Sequence, residues 1–221
     1  MKLTIFNGSP RYRKSTTDII LSSFLKGFTE NEANTYEIVY LVRSKDSNKF
    51  IKMFDKAEKV LLAFPLYHDS MPAIVKTFIE SLKPFCENKN NPNIGFSVHS
   101  GFPEAHHSRY VERYLKKLSK RLGCEYIGTI VKGNMHRVDE VPAFITKRLL
   151  EPYYELGKLF GKTGKFDQDI LEKLSKPEKF TGFMLWMLKL LSKTPLPTLG
   201  WDKKLKKSGT FEKRYARPYT E

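Results

Sequence analysis

The sequence predicts an α/β protein built on a doubly wound, five-stranded parallel sheet, followed by a helical C-terminal extension. Three observations carry that prediction. Apolar, strand-like runs recur at Lys2–Asn7, Tyr36–Leu41, Lys59–Phe64, Ile94–Ser100 and Glu125–Lys132, and helical patterns separate them. The runs Val60–Phe64 and Ile127–Val131 are apolar almost without interruption, as strands covered on both faces require. The loop closing the first run is rich in hydroxyl and basic residues and leads directly into a helix. In sheets of this kind ligands sit beyond the carboxyl ends of the strands, where the strand order reverses. The loops after Asn7, Phe64 and Ser100 are therefore the candidate site.

The first strand breaks at Gly8. Ser9, Arg11, Ser15, Thr16 and Thr17 follow, and then the helical pattern Ile20, Leu21, Phe24, Leu25, Phe28. Backbone N–H groups at a helix start lack intrahelical partners, and the helix dipole favours negative charge there. With hydroxyl donors and a cation, the loop suits a phosphate. Ser15-x-x-Asp18 is equally a capping-box pattern, which also opens helices that bind nothing. There is no G-x-G-x-x-G, no G-x-x-x-x-G-K-[ST] and no thiol in the loop, which excludes dinucleotide, P-loop and cysteine-phosphatase devices.

A short second helix is expected around Phe50, Ile51 and Phe54. The third has Ser70 as N-cap, Pro72 in the first turn, and Met71, Val75, Phe78 and Leu82 on one face. The fourth carries Val111, Leu115, Leu118 and Leu122 and ends at Gly123. The fifth begins near Val141-Pro142 and runs through Phe144, Ile145, Leu149 and Tyr153, with a kink expected at Pro152. After Gly161 the pattern changes: a linker at Lys162-Thr163-Gly164, a helical stretch at Phe166–Ser175, an almost wholly apolar stretch from Phe180 to Leu191, and a Pro-rich basic tail from Thr194. The expected division is a domain at 1–161 and an extension at 162–221.

With 40% hydrophobic and 13% aromatic residues, the 221-residue chain is globular. The longest apolar run, Phe183 to Leu188, is far below the roughly 18 residues of a membrane span. No apolar leader precedes the first strand, so a cytoplasmic location is expected. Cys86 and Cys124 are too few for a disulfide framework and are expected as reduced thiols. No metal is expected, since adjacent histidines such as His106-His107 point about 100° apart on a helix. The net charge of +15 favours polyanions, phosphorylated cofactors or anionic surfaces. Its concentration at Arg109–Arg121 falls on a helix face without any nucleic-acid motif, so no nucleic-acid partner is expected.

The loop after the third strand, Phe64-Pro65-Leu66-Tyr67-His68, offers a stiff apolar turn whose backbone faces a flat ring, with Tyr67 to stack and His68 to donate a hydrogen bond. The next, Ser100-Gly101-Phe102-Pro103-Glu104-Ala105, adds close backbone approach at Gly101 and a second wall at Phe102. Together with Gly8-Ser9-Pro10-Arg11 and with Met71-Pro72-Ala73-Ile74-Val75-Lys76-Thr77-Phe78-Ile79-Glu80, these loops resemble the flavodoxin-like NAD(P)H-dependent FMN reductases and NAD(P)H:quinone reductases. The resemblance covers about residues 1 to 135, and Ala216-Arg217-Pro218-Tyr219 is similar to the tail of some members. It implies FMN as cofactor, with Ser9, Arg11, Ser15, Thr16 and Thr17 on the phosphate. Pro65, Leu66, Tyr67, His68, Ser100, Gly101 and Phe102 would line the isoalloxazine. It leaves open which of Arg11, Arg13 and Lys14 meets the phosphate.

The activity so implied is hydride transfer from NADPH or NADH through bound flavin to a quinone, flavin or similar small-molecule acceptor. No side chain is required as acid or base, and His68 is the candidate donor beside the ring. A flavodoxin-type electron carrier and a basic interaction module on the same fold are the alternatives. The apolar C-terminal stretch is expected to cover a subunit interface, making a homodimer, or to lie beside the flavin. A membrane surface is the less favoured reading, because Lys189 alone interrupts the apolar run and no charged face is segregated.

Overall fold

The computed structural model describes residues 1–43, 47–136, 138, 140–195 and 198–217; the side chains of Lys14 and Ser47 lie outside that description, as do Pro218 and Tyr219 of the tail resemblance. The chain forms two compact units, Met1–Lys179 and Phe180–Glu221. The first contains β1 (Lys2–Asn7), α1 (Thr16–Phe28), β2 (Thr35–Tyr40), α2 (Ser47–Asp55), β3 (Lys59–Pro65), α3 (Ala73–Ser81), β4 (Asn93–His99), α4 (Arg109–Leu122), β5 (Tyr126–Lys132), α5 (Ala143–Thr163) and α6 (Gln168–Leu174). The second contains α7 (Gly182–Leu191) and α8 (Leu199–Lys207).

All neighbouring strands pair in parallel, in the order β2-β1-β3-β4-β5. The order reverses between β1 and β3, and the register sets Asn7 opposite Ala63 and Pro65 opposite His99. Three strand ends thus open at one edge, at the switch point. Alternation along the strands feeds two apolar layers. Phe6, Val60, Leu62, Phe64 and Phe96 pack with α2, α3 and α4, and Phe6 stacks on Phe78 at 4.5 Å. Leu3, Ile5, Leu61, Ala63 and Ile130 pack with α1 and α5.

The second layer depends on a close helix pair. A Cβ at Gly157 would sit 1.9 Å from the Phe24 carbonyl oxygen, and one at Gly27 would sit 2.0 Å from that of Tyr154. Only hydrogen at those positions lets α1 and α5 meet backbone to backbone. Phe24, Phe28, Phe160 and Phe166 fill the space beside the contact, with ring centroids 5.1–6.4 Å apart.

Three expectations are corrected. Ser70 is not the N-cap of α3; Pro72 holds that position, and Ser70 pairs back onto Tyr67 instead. The division falls at 179/180 rather than 161/162. Lys162-Thr163-Gly164 is the end of α5 with Gly164 as its left-handed cap, and Phe166 and Leu174 return to the core. The basic tail holds a helix, α8, and a 3-10 turn at Phe211–Lys213. The α5 helix continues through Pro152 to Thr163. Gly123 ends α4 with φ +77°, and Cys86 and Cys124 are free.

Gly157→Ala should destabilise the protein by about 3 kcal/mol, because the clash is with backbone and overpacking of this kind costs roughly 1–3 kcal/mol or more. Gly182→Ala, where nothing lies within 4 Å, should be neutral or stabilising. Urea unfolding of both variants checks the pair.

Candidate functional site

At the carboxyl ends of β1, β3 and β4 lies an open cleft with about 460 Å³ of empty space. Its lining is Ser9, Arg11, Ser15, Thr16, Pro65, Leu66, Tyr67, His99, Ser100, Gly101, Met135 and His136. The three loops singled out in the sequence therefore converge, and the segment after β5 joins them.

The first loop is shaped by Asn7, fully buried at the end of β1. Its Oδ1 accepts the Ser9 N–H at 3.0 Å, and its Nδ2 donates to Asp18 Oδ1 at 3.5 Å. The Tyr40 hydroxyl donates to the same Asp18 oxygen at 2.6 Å. Partly buried and, secondly, beside that carboxylate, the Tyr40 phenol is pushed up to about 12. Ser15 caps α1 by accepting the Asp18 N–H at 3.1 Å, which is the N-cap half of the capping-box pattern, while the Asp18 carboxylate accepts from Asn7 and Tyr40. Capping does not use up its hydroxyl. Ser9 Oγ accepts the Arg11 N–H and Ser15 Oγ that of Asp18, which leaves each proton available to an acceptor in the cleft.

Among the three cations in question, Arg11 lines the cleft. Arg13 lies over the rings of Tyr12 and Tyr40, 5.5 and 5.9 Å from their centroids, and Lys14 falls outside the described side chains. Tyr12 holds a left-handed φ of +55°, a strained conformation that turns the loop back toward α1.

The loop after β3 departs from expectation at His68. Tyr67 and Ser70 exchange both backbone hydrogen bonds, at 2.8 and 3.0 Å, with φ +47° at His68 and +57° at Asp69 between them. Two left-handed residues closing a two-residue loop are the pattern of a type I′ turn. The turn keeps Tyr67 in the cleft and carries His68 out to solvent, away from its lining. His68 is therefore not among the residues that line the cleft. Phe102 is also outside: it is exposed and stacks on His107, with centroids 4.4 Å apart.

Thr17 is the third departure. It is buried, and its hydroxyl bonds His99 Nε2 at 2.8 Å rather than facing the cleft. That bond ties the first turn of α1 to the end of β4. Burial lowers the His99 pKa to about 4, so the imidazole is neutral at physiological pH. The end of β4 is stitched to the loop after β3, to β5 and to the segment beyond it: Leu66 N–H to the His99 carbonyl, Ser100 N–H to that of Lys132, and Met135 N–H to that of Ser100. The sequence reading missed His99, Met135 and His136. His99 ends its strand, where its direction follows from the pleat and register; the other two come from a segment with no motif.

His106 and His107 also behave differently from the helical expectation. They sit on a 3-10 turn, Ala105–Ser108, and their ring centroids are 4.0 Å apart. With Glu104 they bring three potential ligand atoms within 4.8 Å of one another.

The cleft fits a phosphorylated, flat-ringed cofactor on its own chemistry. Ser9, Ser15, Thr16 and Arg11 gather at the start of α1, a donor set suited to a phosphate. The Pro65-Leu66-Tyr67 and Ser100-Gly101 backbones form a separate wall, and a Cβ at Gly101 would meet nothing nearer than His136 at 3.5 Å.

A family model described as flavodoxin-like fold matches residues 1–153. Among solved structures, an azoreductase from Bacillus anthracis aligns with TM-score 0.56 and 16% identity, covering 72% of this chain and 100% of that one. A B. anthracis FMN-dependent NADH-azoreductase in complex with FMN aligns with TM-score 0.56 and 14% identity, covering 73% and 97%. An NAD(P)H:quinone oxidoreductase from Methanothermobacter marburgensis aligns with TM-score 0.56 and 16% identity, covering 73% and 96%. At such identities the likeness establishes the fold. No curated protein matches in sequence.

The burial of His99 has a pH signature. The native imidazole titrates near 4, below its ordinary 6.5, so between those values the unfolded chain binds the extra proton. Stability is complete above about pH 6.5 and falls as the pH drops, by up to about 3 kcal/mol near pH 4. Urea unfolding across that range should show His99→Gln gaining this amount relative to wild type as the pH falls.

Proposed function

The chain belongs to the flavodoxin-like fold family, and from that footing we propose that it binds FMN and passes hydride from NADH or NADPH to a small acceptor, a quinone or a flavin. The observation that carries this reading is the pairing, in one cleft, of a phosphate-type donor cluster with a flat, largely apolar backbone wall. The structural neighbours support it, one described as FMN-dependent and bound to FMN, another as an NAD(P)H:quinone oxidoreductase.

In this reading Ser9, Arg11, Ser15 and Thr16 hold the phosphate, each through a hydroxyl, a guanidinium or a backbone N–H at the start of α1. Pro65, Leu66, Tyr67, Ser100 and Gly101 orient the ring, and Met135 and His136 close the far side. Thr17 positions these groups from outside the cleft through its bond to His99, which lines the cleft and fixes α1 against β4. Bound FMN supplies the hydride-accepting chemistry; the protein contributes orientation and electrostatics. Neutral His99 adds no charge to the cleft across the physiological range.

Ser9→Ala combined with Thr16→Ala should weaken FMN binding by roughly a hundredfold or more, since each bond to a charged group contributes about 1.5–3 kcal/mol. His68→Ala should leave binding unchanged, because that side chain faces solvent. For the activity, the FMN-loaded protein is mixed anaerobically with NADH or NADPH and flavin absorbance is followed. Rapid bleaching with one of them is expected. If neither acts faster than background, the electron-carrier reading replaces this one.

A further inference from the structure

The second unit is built unlike the first. In α7, Phe183, Met184, Leu185, Trp186, Met187, Leu188, Leu190 and Leu191 surround the helix, with Lys189 its single charge. None of them is buried: Phe183 is 72% exposed, Trp186 61% and Leu190 54%. Neighbouring side chains meet several of the polar groups at its ends. Thr181 Oγ1 accepts the Met184 N–H at 3.3 Å, Ser192 Oγ donates to the Lys189 carbonyl at 2.8 Å, and Thr194 Oγ1 donates to that of Leu191 at 2.7 Å. A helix with apolar side chains all round suits an apolar medium.

The charge lies elsewhere in the unit. Helix α8 carries Lys203, Lys204, Lys206 and Lys207, and Lys213, Arg214 and Arg217 follow it. Residues 180–221 hold nine Lys or Arg against three Asp or Glu, so +6 of the chain's +15 sits in its last fifth. The segregation missing within α7 is present between α7 and α8. A second copy of this unit would bring like charge against like. The partner that complements both properties is one with an acyl interior beneath an anionic surface. Both tryptophans, Trp186 and Trp201, and exposed Tyr215 belong to the same unit, and such side chains favour the headgroup level.

We propose that Phe180–Glu221 docks the protein on an anionic lipid surface, α7 entering the acyl boundary and the lysines of α8 meeting the headgroups. At ten residues α7 is about 15 Å long, against a hydrocarbon core of about 30 Å, so it embeds in one leaflet and does not span. The inference stands on this unit alone and does not depend on the reaction catalysed at the cleft.

The full chain is titrated with vesicles of phosphatidylcholine alone or containing a third phosphatidylglycerol. Binding is read by flotation and by tryptophan emission, which in this protein reports only on the second unit. The expected result is binding and a blue shift with the anionic vesicles, much weaker with the neutral ones, and reversed by high salt. Replacing Lys203, Lys204, Lys206 and Lys207 with Glu should lower partitioning by more than about a hundredfold, each basic residue near the surface being worth about fivefold. Absent binding to either vesicle, or equal binding to both at all salt concentrations, overturns the proposal. So does a blue shift that appears without lipid as the protein dimerises, which would assign α7 to a second copy. The wild-type lipid and salt comparison decides the matter even if a variant fails to fold.

Discussion

Where the first turn of α1 lies decides the rest of this molecule. The helix is held from two directions: Phe24 and Gly27 in its second half meet α5 backbone to backbone, and its first turn is tied to β4 through Thr17 and His99. Asn7 adds the third constraint by bonding both the loop and Asp18. With α1 so fixed, its unpaired N–H groups and the hydroxyls of Ser9, Ser15 and Thr16 face the edge where β1, β3 and β4 end. The parallel sheet supplies the other half of the arrangement, because all its carboxyl ends open on one side. A donor cluster and a flat backbone wall then share a cleft without any residue being placed there for catalysis alone.

Much of this was legible in the sequence, for local reasons. The strands were foreseen to within a residue or so at each end, the central ones because both-face burial leaves apolar runs and the partly exposed β2 because Tyr36, Ile38, Val39 and Tyr40 are strand formers. The Ser15 cap was legible because capping acts over three residues. Thr17, His68 and Phe102 lie outside the lining of the cleft because their directions are settled elsewhere. Thr17 faces His99, a partner 82 positions away. His68 is turned out by a type I′ turn formed without the usual glycine, and Phe102 by stacking on His107. Conversely, Met135 and His136 reach the cleft from a stretch with no periodic signal. The domain boundary was misplaced because Gly164, a helix cap, looks like a linker glycine until Phe166 is seen in the core.

The two units satisfy their apolar residues in different ways. The first buries its large side chains in two layers and closes its loops with backbone bonds. The second leaves an apolar helix exposed beside a lysine-rich one, and it also holds a large share of the net charge. The first unit closes its cleft with its own bonds; under the proposal above, the second finds its apolar surroundings in a lipid surface.

The central claim is that the start of α1 is a phosphate site. Isothermal titration of the flavin-free protein with FMN and with riboflavin, which share the ring and differ in the phosphate, tests it most directly. The account predicts FMN binding at least a hundredfold tighter, as two or more charge-assisted bonds of about 1.5–3 kcal/mol require, with the difference falling sharply in Arg11→Met. Equal affinity for the two flavins would contradict it.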